Sequence, residues 1–267
     1  MSNKWKNKNV LITGINGFVG GNLCKSLLDQ GANIIGLVRN YNQTSFLFFE
    51  SLDAKVTLVK GDLVNYRVIQ GILSEYNINF IFHLAAQVEV GVALNNPYLT
   101  FETNIRGTYT LLEACRLYGK NIEAIIVASS DKSYGSYPQD KMPYKEDYPL
   151  NPIFPYDTSK ACTDFIAKSY STSYKNMPII ITRFCNIYGP GQLNFSAIIP
   201  DSIRSAIGYS NFIPRGDGKS IRDFIYVEDV CELYQVIALN LANNKKLSGE
   251  IFNAGTNKPV SIRDVVV

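Results

Sequence analysis

The chain has 267 residues, 46% of them apolar, and a formal net charge of only +3 at pH 7, so it can bury a large core and is too weakly basic to suggest nucleic-acid binding. No apolar run approaches the roughly 20 residues of a membrane helix, and Gly14, Asn16 and Gly17 interrupt any signal-like core behind the positive start, so a soluble, cytoplasmic protein is expected. Five scattered cysteines without a CxxC pair indicate neither a zinc knuckle nor a disulfide framework, and the single histidine, His83, removes histidine metal clusters and disfavours a Ser-His-Asp hydrolase.

In chain order, the first predicted strand, NVLIT (9–13), runs into Thr13-Gly14-Ile15-Asn16-Gly17-Phe18-Val19-Gly20, which opens a helix over 18–30. Backbone N–H groups and a helix N-terminus then face whatever anion sits there, and a pyrophosphate is the natural occupant. Thr13, Gly14, Asn16, Gly17, Phe18 and Val19 are therefore candidate cofactor contacts. A second strand, NIIGLV (33–38), ends in Val38-Arg39, where an NAD-selective site often places an acid. Arg39 suits a 2′-phosphate, which slightly favours NADP over NAD; a solvated surface arginine is the alternative.

A third strand (55–60) leads to Asp62 and Leu63, placed to meet adenine, although Asp62 suits equally a cap for the helix over 66–76. The fourth strand (79–85) closes in Leu84-Ala85-Ala86-Gln87, small enough in its middle for a dinucleotide to lie against the backbone. His83 lies inside this run and reads as structural. Glu89 and Asn95 occupy the following loop, where a substrate contact and a loop-building role are equally open.

A long helix over 97–118 precedes a strand over 122–129 and then Ser130, Asp131 and Lys132; a helix over 156–174 carries Tyr156 and Lys160 on one face, four residues apart. A hydroxyl, a phenol and an ammonium at one sheet edge suit carbonyl chemistry, with the ammonium expected to lower the phenol's pKa. A strand over 178–184 completes the alternation, which argues for a doubly wound α/β parallel sheet. From residue 186 the pattern turns to Gly- and Pro-rich loops, short segments and helices over 198–209 and 228–240, read as a smaller lobe spanning 186–267 beside a dinucleotide-binding unit of 1–185, without a clean cut. The final segment, SIRDVVV, begins a helix with little face to bury, so a further portion of the lobe is expected beyond Val267. Asn186, Asn194, Arg215 and Arg222 offer amides and forked donors for a diphosphate or sugar.

The motifs TGINGFVG, HLAAQ, NIRGTYTLLEAC, SSDKSYG, PYDTSK, RFCNIYGPG and RDFIYVEDV resemble the extended short-chain dehydrogenase/reductase family over nearly the whole chain. Within it, SDK, VGVALNNP and LNFSAIIPDSIRS are most similar to the nucleotide-sugar 4,6-dehydratases that act on GDP-N-acetylglucosamine, CDP-glucose or GDP-mannose. The resemblance implies a Rossmann sheet, a recycled NAD or NADP, a nucleotide-diphosphate sugar as partner, and a homodimer built on the helices over 97–118 and 156–174. It implies that Tyr156 takes the proton of the C4 hydroxyl, that Ser130 holds the same oxygen, and that Asp131 protonates the departing C6 hydroxyl. It also implies a substrate role for Asn186. Lys132 stands where many members have a glutamate base, and it can serve as base, orient Asp131 or stabilise an enolate. A nucleotide-sugar 4-epimerase is the first alternative, since it needs no acid at C6. A non-catalytic dinucleotide sensor is the second, though it would have no use for Tyr156 and Lys160.

Overall fold

A computed structural model describes residues 4–213 and 216–266. The chain opens as β1 (Asn9–Thr13), α1 (Phe18–Leu28), β2 (Asn33–Val38), the single turn α2 (Phe46–Phe49), β3 (Thr57–Lys60), α3 (Tyr66–Glu75) and β4 (Phe80–His83). It continues through α4 (Val90–Asn95), α5 (Pro97–Phe101), α6 (Gly107–Tyr118), β5 (Ala124–Ala128), α7 (Pro155–Ser173) and β6 (Ile179–Phe184). The remainder forms β7 (Asn186–Tyr188), α8 (Ile198–Ala206), β8 (Ile221–Arg222), β9 (Phe224–Tyr226), α9 (Val227–Asn243), β10 (Ile251–Ala254), β11 (Val260–Ser261) and α10 (Ile262–Val266).

Seven strands make one parallel sheet in the order β10-β6-β5-β4-β1-β2-β3, the doubly wound α/β architecture that the alternating pattern predicts. Its central strands read as continuous apolar runs because both faces are covered. Val10 and Ile12 pack with Leu23 and Leu27 of α1 and Val230 and Ala238 of α9. Leu11, between them in sequence, faces the opposite layer with Ile69 of α3, Leu111 of α6 and Ala167 of α7. Each such side chain, once fully buried, contributes about 1.5–3 kcal/mol relative to exposure, so the sheet is a rigid base for its rim.

Strand order reverses between β1 and β4, whose last residues, Thr13 and His83, are paired. Helices leave in opposite directions there, and the divergence opens a crevice at the carboxyl ends of the strands. The helix expected over 97–118 is divided: α5 and α6 are joined by a π turn at Glu102–Arg106. Residues 186–188 and 224–226 pair as β7 and β9, and β8 pairs with β11, beside α8 and α10. The chain does not stay in that lobe, because α9 packs on α1, β5 and β6, and β10 extends the main sheet along β6.

Candidate active site

A cleft of about 810 Å³ follows the carboxyl ends of the strands, from Arg39 and Asp62 past Gly14 and Gly17 to Ser130, Tyr156 and Lys160, and on to Arg222. At the glycine turn, Gly14 has φ +78°, and a Cβ there would lie 2.8 Å from the Ala85 nitrogen. A Cβ on Gly20 would lie 2.2 Å from the Gly14 carbonyl oxygen. The first glycine thus permits both the left-handed backbone and the approach of the loop after β4, and the last lets α1 start tight against the turn. The α1 N-terminus has no acidic residue in its first turn and no side-chain cap, so its first N–H groups are left for an external anion. This cradle fits the pyrophosphate of a dinucleotide.

Gly14, Asn16, Gly17, Phe18, Val19, Arg39, Asp62, Leu63, Leu84, Ala85 and Ala86 all line the cleft. Arg39 is exposed on its wall beside Asn40, whose carbonyl accepts a 2.8 Å hydrogen bond from Asn16 Nδ2. Asp62 accepts from the Val64 N–H at 3.1 Å, while the cap of α3 is Asn65, which accepts from the Arg67 N–H. The capping alternative for Asp62 is thereby corrected.

Two residues expected at the cofactor stand behind this wall. Thr13 is buried, with Oγ1 2.9 Å from His83 Nδ1 and accepting the Ala85 N–H at 3.3 Å. His83 Nε2 lies 3.0 Å from Thr108 Oγ1, which itself donates to the Asn104 carbonyl at 2.6 Å. Thr108 oxygen therefore accepts the Nε2 proton, and Nδ1 accepts from Thr13, a neutral imidazole. Burial, with Lys160 as a lesser influence, pushes its pKa down to about 3. Gln87 is also turned away from the cleft: its backbone N–H and carbonyl are both held by the Asn104 amide, at 2.7 and 3.0 Å. Hydrophobic periodicity places a residue in a loop but does not say which loop atoms are tied down.

At the other end, the chain leaves β5 extended through Ser130 and then makes one tight turn, Asp131–Tyr134. Ser130 caps that turn, its Oγ accepting the Lys132 N–H at 3.2 Å and donating to Asp131 Oδ1 at 3.2 Å. Opposite, Pro155 at the first position of α7 fixes the helix start, so Tyr156 and Lys160 share its buried face. Lys160 Nζ donates to the Ala128 carbonyl at 2.8 Å, aiming the ammonium at the end of β5. Ser130, Asp131, Lys132, Tyr156 and Lys160 all line the one cleft.

Burial raises the pKa of the Tyr156 phenol well above its ordinary value, with Ser130 opposing and Asp131 and Asp157 adding to the rise. Burial brings the Lys160 ammonium itself down to about 8, and Lys160 is not among the groups that shift the phenol. Asp131 is raised by burial, opposed by Lys132, Ser130 and Arg222, a direction that favours a protonated carboxyl.

Glu89, in the loop after β4, and Asn186, Asn194 and Arg222, in the lobe, reach the same cleft. Asn186 Nδ2 donates to the Asp223 carbonyl at 3.1 Å, and Asn194 Oδ1 is engaged by the Ser196 N–H at 3.0 Å. Arg222 is exposed and donates to the Ile221 carbonyl at 2.7 Å. Arg215 lies outside the described residues. Sequence reasoning missed Gln192, which lines the cleft with a buried Oε1 that has no partner among the described residues, and Asn104, whose only signal is its place in NIRGT.

The GDP-mannose 4,6 dehydratase family model matches residues 11–266. A trifunctional UDP-glucose 4,6-dehydratase/3,5-epimerase/reductase of Arabidopsis thaliana is 31% identical over 98% of the chain, which spans 39% of that much longer protein. The NAD complex of dTDP-glucose 4,6-dehydratase from Bacillus anthracis superposes with a TM-score of 0.83 at 30% identity, covering 97% of this chain and 78% of that one. UDP-glucose 4-epimerase from Thermotoga maritima, bound to UDP-glucose, superposes equally well, with a TM-score of 0.83 at 25% identity, over 97% and 80% of the two chains. By sequence and by fold the chain belongs to the GDP-mannose 4,6 dehydratase family, among the extended short-chain dehydrogenases/reductases.

Proposed function

We propose that the protein is an NAD(P)-dependent nucleotide-sugar 4,6-dehydratase that converts an NDP-hexose to the NDP-4-keto-6-deoxyhexose, with GDP-N-acetylglucosamine or a related GDP- or CDP-hexose as substrate. The observation that carries it is Asp131, a carboxyl pushed towards its protonated form, beside Ser130 in the cleft that also holds Tyr156 and Lys160. Gly14, Gly17, Phe18, Val19, Ala85 and Ala86 hold the dinucleotide, with Arg39 slightly favouring NADP through its 2′-phosphate. When bound, that cofactor accepts hydride from C4 and returns it to C6.

Ser130 holds the sugar O4 while Tyr156 accepts its proton, and Lys160 supplies positive charge beneath the phenol. The ketone formed at C4 acidifies the C5 proton, which passes to a base as the C6 hydroxyl departs; Lys132 in its neutral form is the candidate base. Asp131 then donates its proton to the departing C6 hydroxyl, which leaves as water. Lys132 acts electrostatically on both Asp131 and Asp157, so in its charged form it can instead orient Asp131 or stabilise the enolate. Glu89, Asn186, Asn194, Arg215 and Arg222 are assigned to the sugar and diphosphate. A homodimer is part of the same reading, supported by the exposed Tyr98 of α5, Tyr109 and Leu117 of α6 and Phe165 of α7.

The equal likeness to a 4-epimerase keeps one second reading, in which Ser130, Tyr156 and Lys160 serve C4 alone. Incubation with GDP-, CDP-, UDP- and dTDP-linked hexoses, followed by mass spectrometry, separates the two. A product lighter by one water supports dehydration; an isomer of unchanged mass supports epimerisation and defeats the proposal.

A further inference from the structure

Tyr156, Lys160 and Asp164 recur every four residues on α7 and so line one face of the helix. All three are buried, Asp164 to 2% exposure. One Asp164 oxygen, Oδ2, accepts from Arg183 Nε of β6 at 2.5 Å. The other, Oδ1, is buried and meets no donor in hydrogen-bonding geometry among the described residues. Ser129, whose hydroxyl donates to the Lys160 carbonyl at 3.3 Å, also acts on the Asp164 carboxyl. Arg183 is fixed in turn, with its guanidinium 4.6 Å over the Tyr134 ring and Nη1 donating to the Glu146 carbonyl at 3.3 Å. A carboxylate anchored by Arg183 through one oxygen therefore sits a helical turn behind the catalytic ammonium.

We propose that Asp164, anchored by Arg183 on the buried face of α7, is a positioning residue that keeps the Lys160 ammonium charged beneath the phenol of Tyr156. The need for it follows from the burial of Lys160. A buried ammonium tends to shed its proton, and a neutral lysine would leave Tyr156 without its charged neighbour. Among the described residues, Asp164 is the one carboxylate that acts on Lys160 in the opposite sense. From the other elements packed around it, β4 presents His83, which is neutral, and β5 presents the Ala128 carbonyl, with Ser129 just beyond the strand's end. The turn after β5 carries Asp131 and Lys132, which face Tyr156 and Asp157. Arg183 of β6 acts on Asp164.

The test is a lysine-selective NMR titration of the full chain, with the Lys160 signal identified by its loss in Lys160→Arg. The wild-type midpoint is expected at about 8, which keeps the ammonium charged at neutral pH; a midpoint well below neutrality overturns the proposal. Asp164→Asn is expected to lower the midpoint by about one pH unit, and Asp164→Glu to restore most of the shift. Because Asp164→Asn strands a buried guanidinium, the double variant Asp164→Asn, Arg183→Gln is measured beside it. The same drop is expected there, since Arg183 is not among the groups acting on Lys160. An unchanged midpoint in either folded variant overturns the proposal.

The kinetic counterpart rests on the dehydratase reading. With an accepted nucleotide sugar, the alkaline limb of the kcat profile moves to lower pH in Asp164→Asn, whereas a merely structural loss would scale activity down equally at every pH. If the wild type turns over no nucleotide sugar, the dehydratase reading falls while the Lys160 titration still decides the role of Asp164.

Discussion

Asn104 Nδ2 donates to Ser159 Oγ at 2.8 Å, and Ser159 in turn donates to the Tyr156 carbonyl at 2.7 Å. The same Asn104 amide holds both backbone groups of Gln87. One buried side chain, presented by the π turn between α5 and α6, thus ties the loop after β4 to the first turn of α7. Cofactor wall and catalytic helix are fixed relative to each other through it. Asn104→Ala should leave the Gln87 N–H, the Gln87 carbonyl and the Ser159 hydroxyl short of a partner, at a cost of about 1–3 kcal/mol in denaturant unfolding. Turnover should fall about 10²-fold, since small displacements of reacting groups are expensive, with kcat affected more than KM. Near-wild-type kcat in a folded variant would show that α7 is positioned by packing alone.

Asp131→Asn separates oxidation from elimination. The amide keeps the size and the hydrogen bond of Ser130 but has no proton to give to a departing hydroxyl. Stopped-flow absorbance should therefore still show reduced cofactor accumulating on mixing with an accepted nucleotide sugar, while release of the dehydrated product falls about 10²–10⁴-fold, the usual worth of a positioned acid. Because the folded-state pKa of Asp131 is raised, the acid form persists above the ordinary carboxylate range and is lost as pH rises through it. Water loss in the wild type should accordingly decline on its alkaline side. Retained dehydration by the variant would remove Asp131 from the acid role.

The sheet was readable because strands covered on both faces must be apolar throughout, as IIIT in β6 and AIIVA in β5 are. The residues that line the cleft from strand ends were readable for the same reason: once the strands are placed, Gly14, Ala85, Ser130 and Tyr156 can lie nowhere but on the carboxyl rim. What periodicity does not encode is which side of a loop faces the cleft. Thr13 and Gln87 have the right positions along the chain but spend their polar atoms on His83, Ala85, Asn104 and Thr100. The π turn at Glu102–Arg106 keeps the helical hydrophobic pattern nearly intact and leaves no mark in composition. The Arg183–Asp164 pair joins a strand to a helix nineteen positions away, and only the folded packing brings it together. Likewise α9 and β10 carry the apolar signals of any helix and strand, which do not say that the chain has left the lobe for the sheet.

His83 gives the fold a specific acid sensitivity. Its pKa falls from 6.5 to about 3 on burial as a neutral imidazole. Below about pH 6.5 only the unfolded chain takes up this proton, so stability declines as pH falls through the window between those values. The loss amounts to about 2 kcal/mol by pH 5, from roughly 1.4 kcal/mol per pH unit. The raised carboxyls of Asp131, Asp157 and Asp164 act in the opposite sense, because there the folded state binds protons first. Comparing wild type with His83→Gln isolates the histidine, as the chain has no other. Urea unfolding between pH 7 and pH 5 should show the wild type losing stability faster than the variant; parallel slopes would mean that His83 is protonated within the fold.

Arg39 makes the cofactor preference testable without any sugar. It is exposed on the wall where the ribose end of the dinucleotide is assigned, and no acid replaces it on β2, which ends in Val38. A 2′-phosphate there would gain a charge-assisted contact that a 2′-hydroxyl does not need. Arg39→Ser should therefore weaken NADP binding about tenfold while changing NAD affinity little, read by calorimetry on the full chain. The contact is solvent-exposed, so the difference between wild type and variant should shrink as salt rises from 0.05 to about 0.5 M, where the screening length drops below ~5 Å. Equal loss of both cofactors would assign Arg39 to the shared adenosine instead, and no loss of either would return it to the solvated surface.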